Sequence, residues 1–194
     1  MGIYDRQETL KLRTDQVISI IGCGGIGFHV AKFAVMSGIN TVILYDPDVI
    51  EEHNLNRLDL PDSTLGKNKA HVTRAVLNEL RPLATVHVFP YKFSEGTLMK
   101  CDWLVDCTDN HESQMKNQEI AKKNGIKYVK SGYNGEHITL SDVVAEWGEA
   151  PDGYTITPSW IVPATIIAAL TVAKIMKYDK LEVSTDLNKL FIVR

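Results

Sequence analysis

The chain has 194 residues, 44% of them hydrophobic and 23% charged, and a formal net charge of −3. That length suits a single domain able to bury roughly two-thirds of its unfolded surface, and the composition excludes an intrinsically disordered chain. The mild negative charge argues against a general nucleic-acid or membrane-surface binder, which would be basic.

Residues 1–15 open with MGIYDRQETLKLR, which has no apolar signal-peptide core. They predict a polar, amphipathic helical arm. The pattern then changes: Val17-Ile18-Ser19-Ile20-Ile21 is an apolar run of strand length that ends in Gly22-Cys23-Gly24-Gly25-Ile26-Gly27. Apolar residues recur at helical spacing over 26–37, and Gly38 is a natural helix stop. A second buried strand is predicted over 41–45, closed by Asp46, so the opening is a βαβ unit.

The alternation continues. Helices are expected over 69–80, 114–123 and 163–177, the last with Pro163 in its first turn, where the missing N–H costs nothing. Strands are expected over 85–89, 103–107, 127–129 and 137–144, with one or two closing strands within 181–193. The polar stretch 147–157 (WGEAPDGYTIT) reads as a long loop. Residues 153–173 carry no charge and are long enough to span a bilayer. They contain Pro158 and Pro163, and a buried helix fits them better than a membrane span. One domain over 1–194 follows: α/β, a Rossmann-like doubly wound, mostly parallel sheet with helices on both faces and antiparallel strands toward the C-terminus.

Glycines 22, 24, 25 and 27 follow a strand and open a helix. There the backbone can approach phosphates, and the helix N-terminus offers free N–H groups and a positive dipole end. Asp46, at the end of the next strand, stands where a carboxylate can hydrogen-bond a ribose diol. These features point to a nucleotide without choosing it. The ordinary alternative is NAD and hydride transfer, but little chain remains outside one sheet to bind a second substrate.

The segments after Asp46 carry more. Asp46-Pro47-Asp48-Val49 leads into Asn54-Leu55-Asn56-Arg57, then Gly66-Lys67-Asn68-Lys69, and Asp106-Cys107-Thr108-Asp109-Asn110 closes the short apolar strand. With Arg6-Gln7 near the start, this ordered set resembles the ThiF/MoeB/E1 family of enzymes that activate ubiquitin-like proteins and their sulfur-carrier relatives. The family pattern includes RQ, GxGGxG, DxDxV, NLNRQ, GxxK and DCTDN, and the match runs from residue 4 to about 145. The resemblance implies ATP-dependent adenylation of the C-terminal carboxylate of a small protein or peptide, with Mg²⁺ as cofactor and a homodimer as the assembly.

The family's roles, carried to these positions, place Gly22, Gly24, Gly25, Gly27, Asp46, Asp48 and Asn54 around the nucleotide. Arg57 and Lys69 become the cations that meet phosphate charge, and Asp109 the Mg²⁺ ligand. In bacterial members the arginine at the position of Arg6 reaches the ATP of the other subunit. The chemistry agrees: two anions must meet, so cations are required, whereas no general base is, because a carboxylate is ionised at neutral pH.

The chain also departs from the pattern. It has three cysteines, Cys23, Cys101 and Cys107, with no CxxC pair. The structural zinc of many bacterial members is therefore not expected, nor is a thioester- or persulfide-forming cysteine downstream. Reduced thiols in a cytoplasmic protein are the expectation. Leu58 replaces the glutamine of NLNRQ, and Gln114 stands where an arginine commonly follows DCTDN. These departures keep two other readings open: a nucleotide-binding regulatory or scaffold protein of this fold without turnover, and, further off, an NAD-dependent oxidoreductase. Neither a nucleic acid nor a membrane is expected as a partner.

Overall fold

A computed structural model describes residues 2–145 and 158–190. Seven strands form one sheet: β1 Val17–Ile21, β2 Thr41–Tyr45, β3 Thr85–Phe89, β4 Trp103–Asp106, β5 Lys127–Asn134, β6 His137–Ser141 and β7 Val183–Asp186, in spatial order β3-β2-β1-β4-β5-β6-β7. The first five are parallel, and β6 and β7 join antiparallel. Helices α1 Gly25–Met36, α2 Lys69–Leu80, α3 His111–Lys123, α4 Ile161–Met176 and the short α5 Leu187–Leu190 complete it.

The apolar runs of β1, β2 and β4 explain their central places. Ile18, Ile20, Val42, Leu44, Leu104 and Val105 are all fully buried, because a parallel strand is covered on both faces. Helices α1 and α4 pack on each other, and α4 also lies on β5 and β6. Ala164, Ile167, Ala168 and Ile175 of α4 are buried. Among the described residues no helix is long and apolar enough to cross a membrane.

The boundaries differ from expectation in instructive ways. Helix α3 begins at His111, three residues early, because the Asn110 side chain accepts from Ser113 N and caps it. Strand β5 runs on to Asn134 and turns through Gly135, at φ +59°, into β6. The expected arm is a single 3₁₀ helix, Asp5–Leu10, ended by Lys11 at φ +52°. It is tied to its own domain: Tyr4 Oη donates to Val35 O at 3.2 Å and Gln7 Nε2 to Ser37 O at 2.7 Å. At the C-terminal side β7 is followed by α5, and 191–194 lie outside the described residues, as does the expected loop 147–157.

Sheet order reverses between β1 and β4. The crevice at their carboxyl ends is where ligands of such sheets bind, and the loop after β1 touches the loop after β4: a Cβ on Gly22 would lie 3.1 Å from Cys107 O.

Candidate functional site

The glycine loop has the geometry that its sequence suggests. Gly22 takes φ +89°, a left-handed conformation that glycine tolerates best, and its N–H donates to Tyr45 O at 2.8 Å. A Cβ on Gly27 would sit 1.8 Å from Gly22 O, so the first turn of α1 can close onto the loop only with glycine there. Around Gly24 the space is open. Helix α1 has no side-chain cap, and its first-turn N–H groups therefore present an anion site.

Asp46 is 4% exposed. Its Oδ2 accepts from Cys23 N at 2.6 Å and its Oδ1 from Asp48 N at 2.8 Å. Burial pushes its carboxyl above the usual range, and the two N–H donors pull against that. Asn68 Nδ2 donates to both Asp46 O and Asp48 O, and Lys69 N to Asp48 O. One buried carboxylate and one asparagine thus join the phosphate loop, the end of β2 and the start of α2. That joining is the work of Asp46 visible within the fold.

Lys69 Nζ lies 3.2 Å from Asp48 Oδ2, with the lysine side chain largely covered and the aspartate exposed. Arg57 Nη1 donates to His53 O at 2.7 Å and Asn56 Oδ1 at 2.9 Å, and no carboxylate among the described residues pairs with it. Its stem crosses the start of α1: a Cβ on Gly25 would meet Arg57 Cδ at 3.1 Å and Cγ at 3.2 Å. Asn54 is 5% exposed, and its Oδ1 accepts from Glu51 N. It shapes the turn that carries Arg57.

Asp109 is exposed at the carboxyl end of β4. Because Asn110 does the capping, its carboxylate is spared that task. Behind it, buried Asp106 accepts from Thr108 N and Oγ1, Asn117 Nδ2 and Tyr128 Oη. Gln114 Nε2 donates to Thr108 O at 2.5 Å, so the residue that replaces the expected arginine buttresses the loop holding Asp109. Among the described residues no three His, Cys, Asp or Glu side chains form a metal cluster. A single exposed carboxylate suits a hard ion that keeps waters and phosphate oxygens.

Arg6 is exposed and is not part of this group. The next residue, Gln7, is bonded to Ser37, the C-cap of α1, while the phosphate loop lies at the other end of that 12-residue helix, about 18 Å away. Cys23 is buried and Cys107 half-buried, and desolvation raises both thiols well above their usual range, which disfavours the thiolate form that a nucleophile needs. Tyr133, which the sequence reading passed over, reaches the site from the extension of β5: its hydroxyl would be 3.4 Å from a Cβ on Gly25. The Asn134-Gly135 pair is the turn signal that could have extended β5 to it.

Sheet order, switch-point crevice and glycine loop define a doubly wound α/β domain with a phosphate-binding type of loop. Residues 2–146 match the ThiF family, and the chain belongs to it. It is 26% identical over 156 residues to ubiquitin-like modifier-activating enzyme 5 of Oryza sativa subsp. japonica, covering 72% of this chain and 36% of that protein. To the adenylyltransferase and sulfurtransferase UBA4 of Eremothecium gossypii it is 32% identical over 137 residues, covering 68% of this chain and 31% of the other. The chain thus spans about a third of the length of these curated relatives. Among solved structures, E. coli MccB with ATP superposes with a TM-score of 0.79 at 19% identity, over 96% of this chain and 72% of that one. MccB with AMPCPP and MccA gives 0.75 at 21%, over 93% and 65%. At that identity the likeness speaks for the fold.

Proposed function

We propose that this chain is an ATP-dependent adenylyltransferase that activates the C-terminal carboxylate of a ubiquitin-like or sulfur-carrier protein or of a peptide. The observation that carries the reading is the convergence at one crevice of an uncapped helix N-terminus, Arg57 with no carboxylate partner among the described residues and Lys69 held by an exposed aspartate. Family membership adds to it, as do the relatives' names, which describe activating enzymes and an adenylyltransferase.

In this reading a carboxylate oxygen attacks the α-phosphorus of ATP, the bond to the bridging oxygen breaks, and pyrophosphate leaves. The glycine loop, with Gly22, Gly24, Gly25 and Gly27, receives phosphate on backbone N–H groups. Exposed Asp48 and the remaining lone pairs of Asp46 face the ribose, and the Asn54 side-chain nitrogen can turn to a phosphate. Arg57 supplies a planar fork and Lys69 a point charge for developing negative charge. Asp109 would hold Mg²⁺, which neutralises phosphate charge when bound.

Arg6 cannot serve its own site from the far end of α1, so a role for it requires a second copy. The reading therefore includes a homodimer with two equivalent sites. Next to Arg57, an open groove lined by Phe33, Leu55, Leu58 and Ile161 offers apolar surface for such a contact. The test is calorimetry with Mg-ATP and with NAD, followed by pyrophosphate exchange with a carboxylate partner in hand. Mg-ATP binding with exchange is expected. Tighter binding of NAD would overturn the reading, and Mg-ATP binding without exchange would favour the regulatory alternative.

A further inference from the structure

Strand β5 pairs with β4 only as far as Asp106↔Lys130. Its last four residues, Ser131 to Asn134, continue past the carboxyl end of β4 and pair with β6 alone. A parallel strand that outruns its neighbour carries its side chains over the crevice at the sheet's carboxyl edge. Ser131 is fully buried and bonded to Thr171. Two residues on, alternation gives Tyr133 the same face, and its ring packs on the edge of the main core.

The hydroxyl ends over the phosphate loop, 3.4 Å from where a Cβ on Gly25 would be, and on that same point converge Cγ and Cδ of Arg57 at 3.2 and 3.1 Å. Gly25 is the first residue of α1, so its N–H belongs to the open first turn. The phenol thus ends beside the turn whose N–H groups are open to a phosphate. No described residue donates to the Tyr133 hydroxyl or accepts from it.

We propose that Tyr133 is a ligand-contacting residue whose hydroxyl donates to the α-phosphoryl group, the phosphate that ATP, AMP and an acyl-adenylate share. The inference rests on the nucleotide reading above. Gly25 marks the spot because it starts the helix whose dipole draws the phosphate, and the α-phosphate, next to the ribose, is the one that must stay against the loop through the reaction. Tyr133 thereby holds the reacting phosphorus from the side opposite the bound backbone, while Arg57 reaches past it.

Tyr133→Phe tests this, because the ring and its packing remain and only the donor is lost. Full-length wild type and variant are titrated calorimetrically with adenosine, AMP and Mg-ATP, with thermal midpoints checked for equality. The expected result is a loss of about tenfold in affinity for both AMP and Mg-ATP, the scale of one hydrogen bond to a charged acceptor, with adenosine unchanged. Unchanged AMP and ATP affinity overturns the proposal. So does a loss for ATP alone, which would move the hydroxyl to the outer phosphates. An equal loss for adenosine assigns Tyr133 a packing role and overturns it as well. A folded wild type that binds neither AMP nor Mg-ATP refutes the nucleotide reading itself. Tyr133→Leu, which lacks ring and donor, should lose at least as much for AMP as Tyr133→Phe.

Discussion

Lys69 is held 3.2 Å from Asp48, which is exposed, and a pair of that kind contributes at most about 1 kcal/mol. An arriving phosphate can displace it at little cost. Asp48→Asn should therefore leave the thermal midpoint almost unchanged, whereas Lys69→Ala or Arg57→Ala should lower pyrophosphate exchange by about 10²–10³ and weaken ATP binding far less. Exchange at the wild-type rate in Lys69→Ala would remove the lysine from the mechanism. Asp46 behaves differently, because its carboxylate satisfies two backbone N–H groups from within the fold. Asp46→Ala leaves both without an acceptor and should cost about 2–4 kcal/mol of stability, read by urea denaturation, as well as ATP affinity. A loss of affinity at full stability would show that the joining role is secondary.

Two elements carry predictions of their own. In α1, His29 is 3% exposed, lies between Phe28 and Phe33 and has Nε2 3.2 Å from Arg57 O. Burial lowers its pKa from the ordinary 6.5. A depressed histidine pKa means that the unfolded chain binds the proton more tightly. Stability from the neutral ring is thus full above pH 6.5 and lost as pH falls below it toward the folded-state value. Unfolding free energies at pH 7.5 and 5.5 should differ more for wild type than for His29→Gln; equal differences would clear His29 of the acid sensitivity. In α4, Lys174 is fully buried. Its ammonium pairs with Asp142 at 3.0 Å and donates to Asp179 O and Leu181 O, which pins the helix end to the approach to β7. Lys174→Ala should lower the urea midpoint, by about 2–3 kcal/mol in unfolding free energy; no change would mean that the carbonyls find water.

Most elements were legible because period and punctuation agree: 41–45, 69–80 and 85–89 fall where apolar spacing puts them. What the sequence did not disclose are facts of tertiary contact. That Asp46 turns inward to Cys23, that Gln114 reaches Thr108 O, and that Tyr133 arrives at Gly25 all depend on loops brought together by strand order. The arm is the same case. Its helical character is local, but its anchorage at Ser37 appears only in the fold, and that anchorage bears on the whole assembly. If Arg6 acts across a two-fold interface, Arg6→Ala and Lys69→Ala chains are each inactive alone. Mixed and allowed to exchange, they should recover about a quarter of the wild-type sites, since half the dimers are mixed and each of these has one intact site. No recovery in demonstrably mixed dimers would place Arg6 outside the reaction.

The meeting of β1 with β4 has a consequence in time. Val17 N donates to Asp102 Oδ2 across 85 residues of sequence, so the crevice joins strands far apart along the chain. At a synthesis rate of about 5–20 residues per second, β4 leaves the ribosome roughly 4–17 s after β1. During that interval β1 has α1 and β2 for company, while its other edge waits unpaired. Closure of such a distant contact is slow, since its loop entropy must be overcome before the pairing gives anything back. The phosphate loop is therefore synthesised well before the strand that completes its crevice.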